Sequence, residues 1–347
     1  MTSSSLRLSF VHILPAYITC CLLSGACIAQ EDGDPRNQSL EVHLAPHQVL
    51  GFESCQKCHA SEVGVWKQTP HHTTFMTLHR NPLAKQIADR LGIDSFKQDG
   101  ECIKCHYTMQ ASPTSSVEAI SGISCESCHG AAKEWIAHHN DYGVGATRES
   151  ESAEHRVERL RASIGGGMRN PINVYLIAQS CYRCHTVPNE RLVNLGGHQA
   201  GSMDFEFVAW SQGSVRHNFV RSNGSTNDPS DRDRLRQMFM AGMIADLEFS
   251  MRATAAATEK ADFGINSAQR TARAAKRLAA AQSKLNQPLL EEILNVFKSV
   301  QLKLNNREQL SEAADRINLL GIRFAANVPG SQLEGIDAFI PSQDKWK

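Results

Sequence analysis

This chain has no cysteine outside two sets of positions. Of its 11 cysteines, three stand at residues 20, 21 and 27, and the other eight form four closely spaced pairs further along. No cysteine is left over to join distant parts of the fold. The sequence therefore excludes a small domain held together by disulfides, and it directs attention to the four pairs themselves.

Net charge and long apolar runs are also missing. Acidic and basic residues balance at 36 each, which excludes a bulk electrostatic attraction to nucleic acid or anionic lipid. After the first 29 residues, no segment is long and apolar enough to predict a membrane-spanning helix. We therefore expect any partner to be recognised through local charge clusters.

The N-terminal segment has the pattern of a secretory signal peptide. Arg7 is its only charged residue, residues 8–23 are mostly apolar, and small residues follow at 24–29. A positive start, an apolar stretch and a small-residue exit predict cleavage at the end of this segment. The alternative is processing as a lipoprotein, with lipidation at Cys27. We thus predict residues 1–29 to be a signal peptide, and the product to be periplasmic or otherwise exported and soluble after cleavage.

Each later cysteine pair is part of a Cys-x-x-Cys-His motif. Two thiols at this spacing can add across the two vinyl groups of one haem, and the adjacent histidine then becomes the proximal iron ligand. One copy alone would also fit half of a zinc site, but four copies behind a secretory leader favour four covalently bound c-type haems. The predicted attachment residues are Cys55, Cys58, Cys102, Cys105, Cys125, Cys128, Cys181 and Cys184, and the predicted proximal iron ligands are His59, His106, His129 and His185.

The ligand on the other side of each iron decides the chemistry. A haem with two histidine ligands transfers electrons and binds nothing else, whereas a five-coordinate haem leaves a position for a small ligand. Ten histidines remain outside the motifs and the leader: His43, His47, His71, His72, His79, His138, His139, His155, His198 and His217. This supply is high for the length of the chain, so we expect several of them to be distal ligands.

The body of the chain divides by composition into two regions. Residues 30–220 hold all four motifs and are rich in histidine, glycine and short breaks, which predicts short helices and loops around cofactors, with few or no strands. Residues 221–347 are predicted to be helical, with a helix start at Asp228 and Pro229. The expected fold class is mainly α: a loop-rich multihaem cytochrome core and a C-terminal helical hairpin or bundle.

Apolar residues recur at helical spacing in the C-terminal region. One stripe runs from Met240 to Met251, and others run from Leu290 to Leu304 and from Leu310 to Phe324. Such stripes predict helices that bury one face. A bundle packed within the chain is the simpler interpretation, and an arm for oligomerisation is the alternative.

Two motif segments are similar to segments of a known family. Cys55-Gln-Lys-Cys-His59, followed by His71, resembles the first haem segment of the tetrahaem cytochrome c-554 family of ammonia oxidisers. The run Gly122-Ile-Ser-Cys-Glu-Ser-Cys-His-Gly130 resembles that family's third haem segment. His139 stands where the family has a distal histidine. The resemblance covers residues 50–220 and does not account for the C-terminal helices.

The resemblance also implies a set of distal ligands. His71 and His139 would serve haems whose proximal histidines belong to other motifs, so that ligand pairs cross between segments. A third distal histidine in the family follows the fourth motif; His217 is our choice for it, and His198 is the alternative. The family's second haem, at His106 here, has no distal protein ligand. If both His198 and His217 were ligands, all four irons would instead have two histidine ligands each and no open position.

These observations favour a periplasmic electron carrier over an enzyme. It would pass single electrons between a donor oxidoreductase and a downstream acceptor, both of them redox proteins. Two alternatives stay open. An open second haem would bind and reduce a small nitrogen oxide or peroxide, or the helical region would dock the chain as an obligate subunit of a respiratory complex. The sequence identifies no catalytic residue and indicates no nucleic-acid partner.

Overall fold

Helices dominate the residues that the computed structural model describes, 44–114 and 116–347. The predicted mainly α fold class is confirmed, while the predicted signal peptide and His43 lie outside the described residues. In the haem-motif region, which is the described chain up to residue 220, the helices are short. They are α1 (Phe52–Gln56), α2 (Ala60–Trp66), α3 (Pro70–Thr77), α4 (Pro82–Leu91), α5 (Gly100–His106), α6 (Cys125–His129), α7 (Ala153–Gly165), α8 (Val174–His185), α9 (Glu190–Asn194) and α10 (Phe207–Ser211).

An antiparallel hairpin follows the second motif. Strand β1 (Thr108–Ala111) pairs with β2 (Val117–Ser121). Thr108 is completely buried, and its hydroxyl donates to Gly122 O at 2.7 Å and lies 2.9 Å from Ser127 Oγ in the third motif. The hairpin therefore holds the chain after the second motif against the third.

Four α-helices of 11 to 25 residues lie in the described C-terminal region, residues 221–347. They are α11 (Arg232–Ala256), α12 (Asp262–Leu285), α13 (Pro288–Lys298) and α14 (Arg307–Asn327). Short 3-10 helices lie at Pro46–Gln48, Leu78–Arg80, Phe219–Ser222, Gly330–Gln332, Glu334–Phe339 and Gln343–Lys345.

The start of α11 differs from the prediction. The helix does not begin at Asp228 and Pro229 but at Arg232. Asp231 is its N-cap, because the Asp231 carboxylate accepts the Arg234 backbone N–H at 2.8 Å and so satisfies a donor of the first turn.

Helix α11 lies at the centre of the main hydrophobic core and packs against α8, α12 and α14. The four apolar members of its stripe, from Met240 to Met251, are 0 % exposed. At Gly321 of α14 a Cβ would stand 2.4 Å from the Tyr175 ring of α8, so this close approach requires glycine. The predicted bundle is confirmed, and most of its stripe residues pack within the chain. The predicted stripe from Leu290 to Leu304 is wrong at its end, because α13 ends at Lys298 and Leu304 is 37 % exposed.

Helix α8 belongs to this core although it carries the fourth motif. Tyr175 and Tyr182 of α8 are buried among the residues of the C-terminal helices. The boundary between residues 220 and 221 stays a prediction. None of the helices within the described ranges is long and apolar enough to cross a membrane.

Candidate haem sites

Each motif lies at the end of a short helix. Helices α5, α6 and α8 end on the motif histidines His106, His129 and His185. Helix α1 ends inside the first motif, where the His59 N–H still donates to Cys55 O at 2.9 Å. Residues three and four positions apart share one side of a helix. The two thiols and the imidazole of a motif therefore face the same way, as attachment of one haem requires.

Each motif histidine faces a second histidine from elsewhere in the chain. His59 faces His139 with 6.3 Å between ring centres, His71 faces His185 at 6.3 Å, His106 faces His198 at 6.4 Å, and His129 faces His217 at 6.2 Å. The pairs therefore join different segments of the chain. His71, after the first motif, faces the fourth motif. His139, after the third, faces the first, and His217, after the fourth, faces the third. The structure thus brings all three chosen distal histidines, and the alternative His198, opposite a motif histidine.

These separations suit an iron between the rings. A metal–nitrogen bond of about 2 Å on each side, with roughly 1 Å from nitrogen to ring centre, would put two ring centres about 6 Å apart. Aromatic rings in direct contact span similar distances, but here every motif histidine has one such partner at nearly the same separation. In the described part of the chain, no group of three or more His, Cys, Asp or Glu side chains is arranged to hold a bare metal ion.

Three of the facing histidines are oriented through Nδ1. The Nδ1 atom of His139 lies 2.8 Å from Ile136 O, that of His198 lies 2.7 Å from Gln199 O, and that of His217 lies 2.7 Å from Val215 O. A carbonyl oxygen only accepts, so Nδ1 carries the proton and Nε2 keeps a free lone pair. Metal-bound histidines are oriented by hydrogen bonds of this kind.

Burial favours the neutral form of five of the eight paired imidazoles. Loss of solvent lowers the pKa of His106, His129 and His185 to about 4, and it also lowers the pKa of His71 and His139. Only a neutral imidazole offers a lone pair to a metal. The fold therefore presents these side chains in the state that ligation needs.

Contacts put the four motifs in the order first, third, fourth, second. The thiols of Cys55 and Cys125 are close enough for each to shift the pKa of the other, which places the first motif beside the third. Ser180, one residue before the fourth motif, donates from Oγ to a third-motif carbonyl oxygen at 2.9 Å. The Cys184 thiol donates to Lys104 O at 3.9 Å and so joins the fourth motif to the second. Neighbouring motifs therefore touch along one continuous line.

A buried carboxylate joins the third motif to the chain just before the first. Glu126 stands between the cysteines of the third motif and is 1 % exposed. It accepts the backbone N–H groups of Leu50 at 2.9 Å, Gly51 at 2.8 Å and Ala132 at 2.8 Å. Burial raises its pKa, although the three hydrogen bonds oppose that change. Sequence analysis missed this residue, for which the only signal was an acidic side chain inside a motif.

The C-terminal region contributes a buried ion pair to the fourth motif. Arg270 of α12 is 4 % exposed, and its Nε donates to Asp246 Oδ1 at 2.6 Å. Its Nη1 donates to Ser202 O at 2.6 Å and to His185 O at 3.4 Å. Sequence analysis missed Arg270 because α12 carries several arginines and lysines, and nothing in the pattern marks one of them.

Buried donors that have no partner among the described residues lie beside the histidine pairs. One is the hydroxyl of Tyr107, the residue that directly follows the second motif. The others are the indole N–H groups of Trp210, whose ring centre lies 6.3 Å from that of His185, and of Trp135, whose ring centre lies 5.2 Å from that of His139. Buried donors normally have a partner, and the propionates of a haem are acceptors. Together with the free motif thiols, these atoms fit a haem group at the motifs.

Comparison with known proteins agrees with this assignment. Residues 54–130 match the family described as cytochrome c554 and c-prime. Cytochrome c-554 from Nitrosomonas europaea is 30 % identical over 137 residues, which are 36 % of this chain and 54 % of that protein, so the chain spans about half the length of the curated relative it matches. No solved structure gave a significant match. The resemblance seen in the sequence is thereby confirmed for residues 54–130, which hold the first three motifs and match the cytochrome c-554 family.

Proposed function

We propose that the protein is an exported tetrahaem c-type cytochrome that carries single electrons from a donor oxidoreductase to a downstream acceptor. The observation that carries this proposal is the facing histidine at every motif. A c-type haem supplies an iron that gains or loses one electron. The eight motif cysteines would hold four such groups covalently, one to each motif.

The protein's own side chains would set the properties of each site. The motif histidines would hold the proximal positions, and His71, His139 and His217 would hold the distal positions of the fourth, first and third haems. An imidazole on each side keeps the coordination unchanged when an electron arrives, so little reorganisation accompanies transfer. The protein thereby orients each site and excludes competing ligands.

The order of the motifs supplies a route for electrons. Because neighbouring motifs touch in the order first, third, fourth, second, electrons would run along that line, and partners would dock at its two ends. The first motif is accessible from outside, since Cys58 is exposed.

A reductive titration of the purified protein tests the carrier proposal. We expect uptake of about four electrons per chain, with c-type haem absorbance changing throughout the titration. A matched variant with Cys102→Ala and Cys105→Ala, which removes the haem at one end of the line, should take up about three. Bound zinc with no electron uptake would contradict the proposal.

Cell fractionation tests the export part of the proposal. Haem-loaded protein is expected in the periplasmic fraction, with a mature N-terminus close to residue 30. A product that keeps its first 29 residues and stays in the cytoplasm would overturn it. This result would leave the electron titration to be judged separately.

A further inference from the structure

His198 and the second motif form a histidine pair equivalent to the other three. Its ring centre lies 6.4 Å from that of His106, within the narrow range of all four pairs. We propose that His198 is the sixth ligand of the second haem, so that this site is closed to external ligands. The inference rests on the proposed function, because it requires that haem be attached at Cys102 and Cys105.

The imidazole of His198 is held in the tautomer that ligation needs. Its Nδ1 donates to Gln199 O at 2.7 Å, as Nδ1 does to a nearby carbonyl in His139 and His217. The proton is therefore on Nδ1, and the Nε2 lone pair is available. A surface histidine that binds nothing is not expected to have the same Nδ1–carbonyl hydrogen bond as two other facing histidines.

The segment that carries His198 is tied to its own helix. The His198 N–H donates to Leu192 O at 3.1 Å, and the Gly197 N–H donates to Val193 O at 3.1 Å, both on α9. The guanidinium of Arg90 in α4 donates to Gly196 O at 3.1 Å. These bonds leave little freedom for the backbone at His198.

One apolar cluster places both α9 and the second motif. Leu192 of α9 packs with Ile87 and Leu91 of α4, and Cys102 packs against the same cluster. Arg191 of α9 also pairs with Glu101, next to that cysteine. The two halves of the second haem site are thus held by the same few residues, so they need no movement to face each other.

A closed second site has a chemical consequence. Reduction of a nitrogen oxide or peroxide requires an open iron position, and a histidine on each side of the iron removes it. The inference therefore separates this chain from the family pattern, in which the second haem lacks a distal ligand. It favours electron transfer over catalysis at this haem.

Spin state and carbon monoxide binding test the inference. For the wild-type protein we expect only low-spin haem and no carbon monoxide binding after reduction. A His198→Ala variant should convert about one haem in four to high spin and bind about one carbon monoxide per chain, and added imidazole should reverse both changes. The control is His47→Ala, at an exposed histidine in the Pro46–Gln48 turn, which should behave like wild type.

Two further measurements keep the inference separate from other failures. His198→Met keeps a ligand and should stay low spin with a raised potential for one haem. Wild-type protein with four haems, one of them high spin and unaffected by His198→Ala, would overturn the inference and leave the carrier proposal standing. A chain with no covalently attached haem would overturn the proposed function itself, and this inference with it.

Discussion

The haem-motif region and the C-terminal region stabilise their folds in different ways. The longest helix in the described chain up to residue 220 has 13 residues, whereas α11 has 25. Besides α8 and the segment from Phe205 to Val208, which join the main core, the first region contributes mainly a small apolar cluster around Ile87 and Leu91. The second is built on one large core of side chains. In the proposed holoprotein, the porphyrins would supply the apolar mass of the first region, whereas the second relies on its own residues.

Loss of a central haem should break the first region most severely. In a variant with Cys125→Ala and Cys128→Ala, we expect the third haem to be lost and the neighbouring segments to become protease-sensitive, because the third motif touches the first and the fourth. The bundle around α11 should stay resistant. Haem absorbance per chain and limited proteolysis measure both effects.

The matched control removes the haem at the end of the line. Cys102→Ala with Cys105→Ala should cost one haem and leave the other three exchanging electrons. Equal damage from the two double variants would contradict the proposed order of motifs.

A cavity in the bundle should destabilise the chain without changing its haem spectrum. Ile244→Ala in α11 removes a side chain that is 0 % exposed, and we expect it to lower the free energy of unfolding by about 2–5 kcal/mol. Leu319→Ala, at a residue that is 52 % exposed, should change it by less than about 0.5 kcal/mol. Denaturant unfolding followed by far-UV circular dichroism measures both. A shifted haem spectrum in Ile244→Ala would weaken the contrast between the regions.

Replacement of Glu126 should uncouple the first motif from the third. Glu126→Ala leaves three backbone N–H groups without acceptors, two of them in buried hydrogen bonds, and we expect a loss of about 3 kcal/mol or more of stability. Glu118→Ala, at an exposed position on β2, is the control. If thermal unfolding of the two variants were indistinguishable, the carboxylate would not be holding the motifs together.

The Arg270–Asp246 pair tests whether the C-terminal region tunes a haem. Arg270→Met leaves a buried negative charge near His185, which should stabilise the oxidised iron and lower the potential of one haem. Asp246→Asn leaves a buried positive charge and should raise the same potential. Arg273→Met, on the exposed side of α12, should change neither. Spectroelectrochemical titration distinguishes these outcomes, and shifts in the same direction for both variants would refute the charge argument.

The smallest expected effect is a loss of folding stability at low pH, through Glu151 near the first haem site. Glu151 has a side chain that is 2 % exposed and binds Arg159, which donates to His139 O at 2.8 Å. Hydrogen bonds from Arg159 lower the pKa of Glu151 to about 2. A carboxylate with a depressed pKa stabilises the fold above its unfolded pKa, and that stability is lost as pH falls towards 2. Wild-type and Glu151→Gln proteins should therefore differ in stability at pH 6 and converge in acid, as pH-dependent unfolding would measure.

Local features of this chain could be predicted well from sequence, and long-range ones could not. The spacing of cysteines and histidine fixes one face of a helix turn, so the motifs and the stripe on α11 followed from periodicity. The position of His198 opposite the second motif did not, because it depends on how Arg90 and Leu192 hold a loop. The start of α11 was misjudged because a proline signal at Pro229 was weighed above the capping carboxylate of Asp231.

Mass spectrometry of the exported polypeptide tests the central claim most directly. We predict a single species heavier than the mature chain by four covalently attached haems, with no free motif thiol open to alkylation. A chain at its unmodified mass, with eight reactive thiols or bound zinc, would contradict the account.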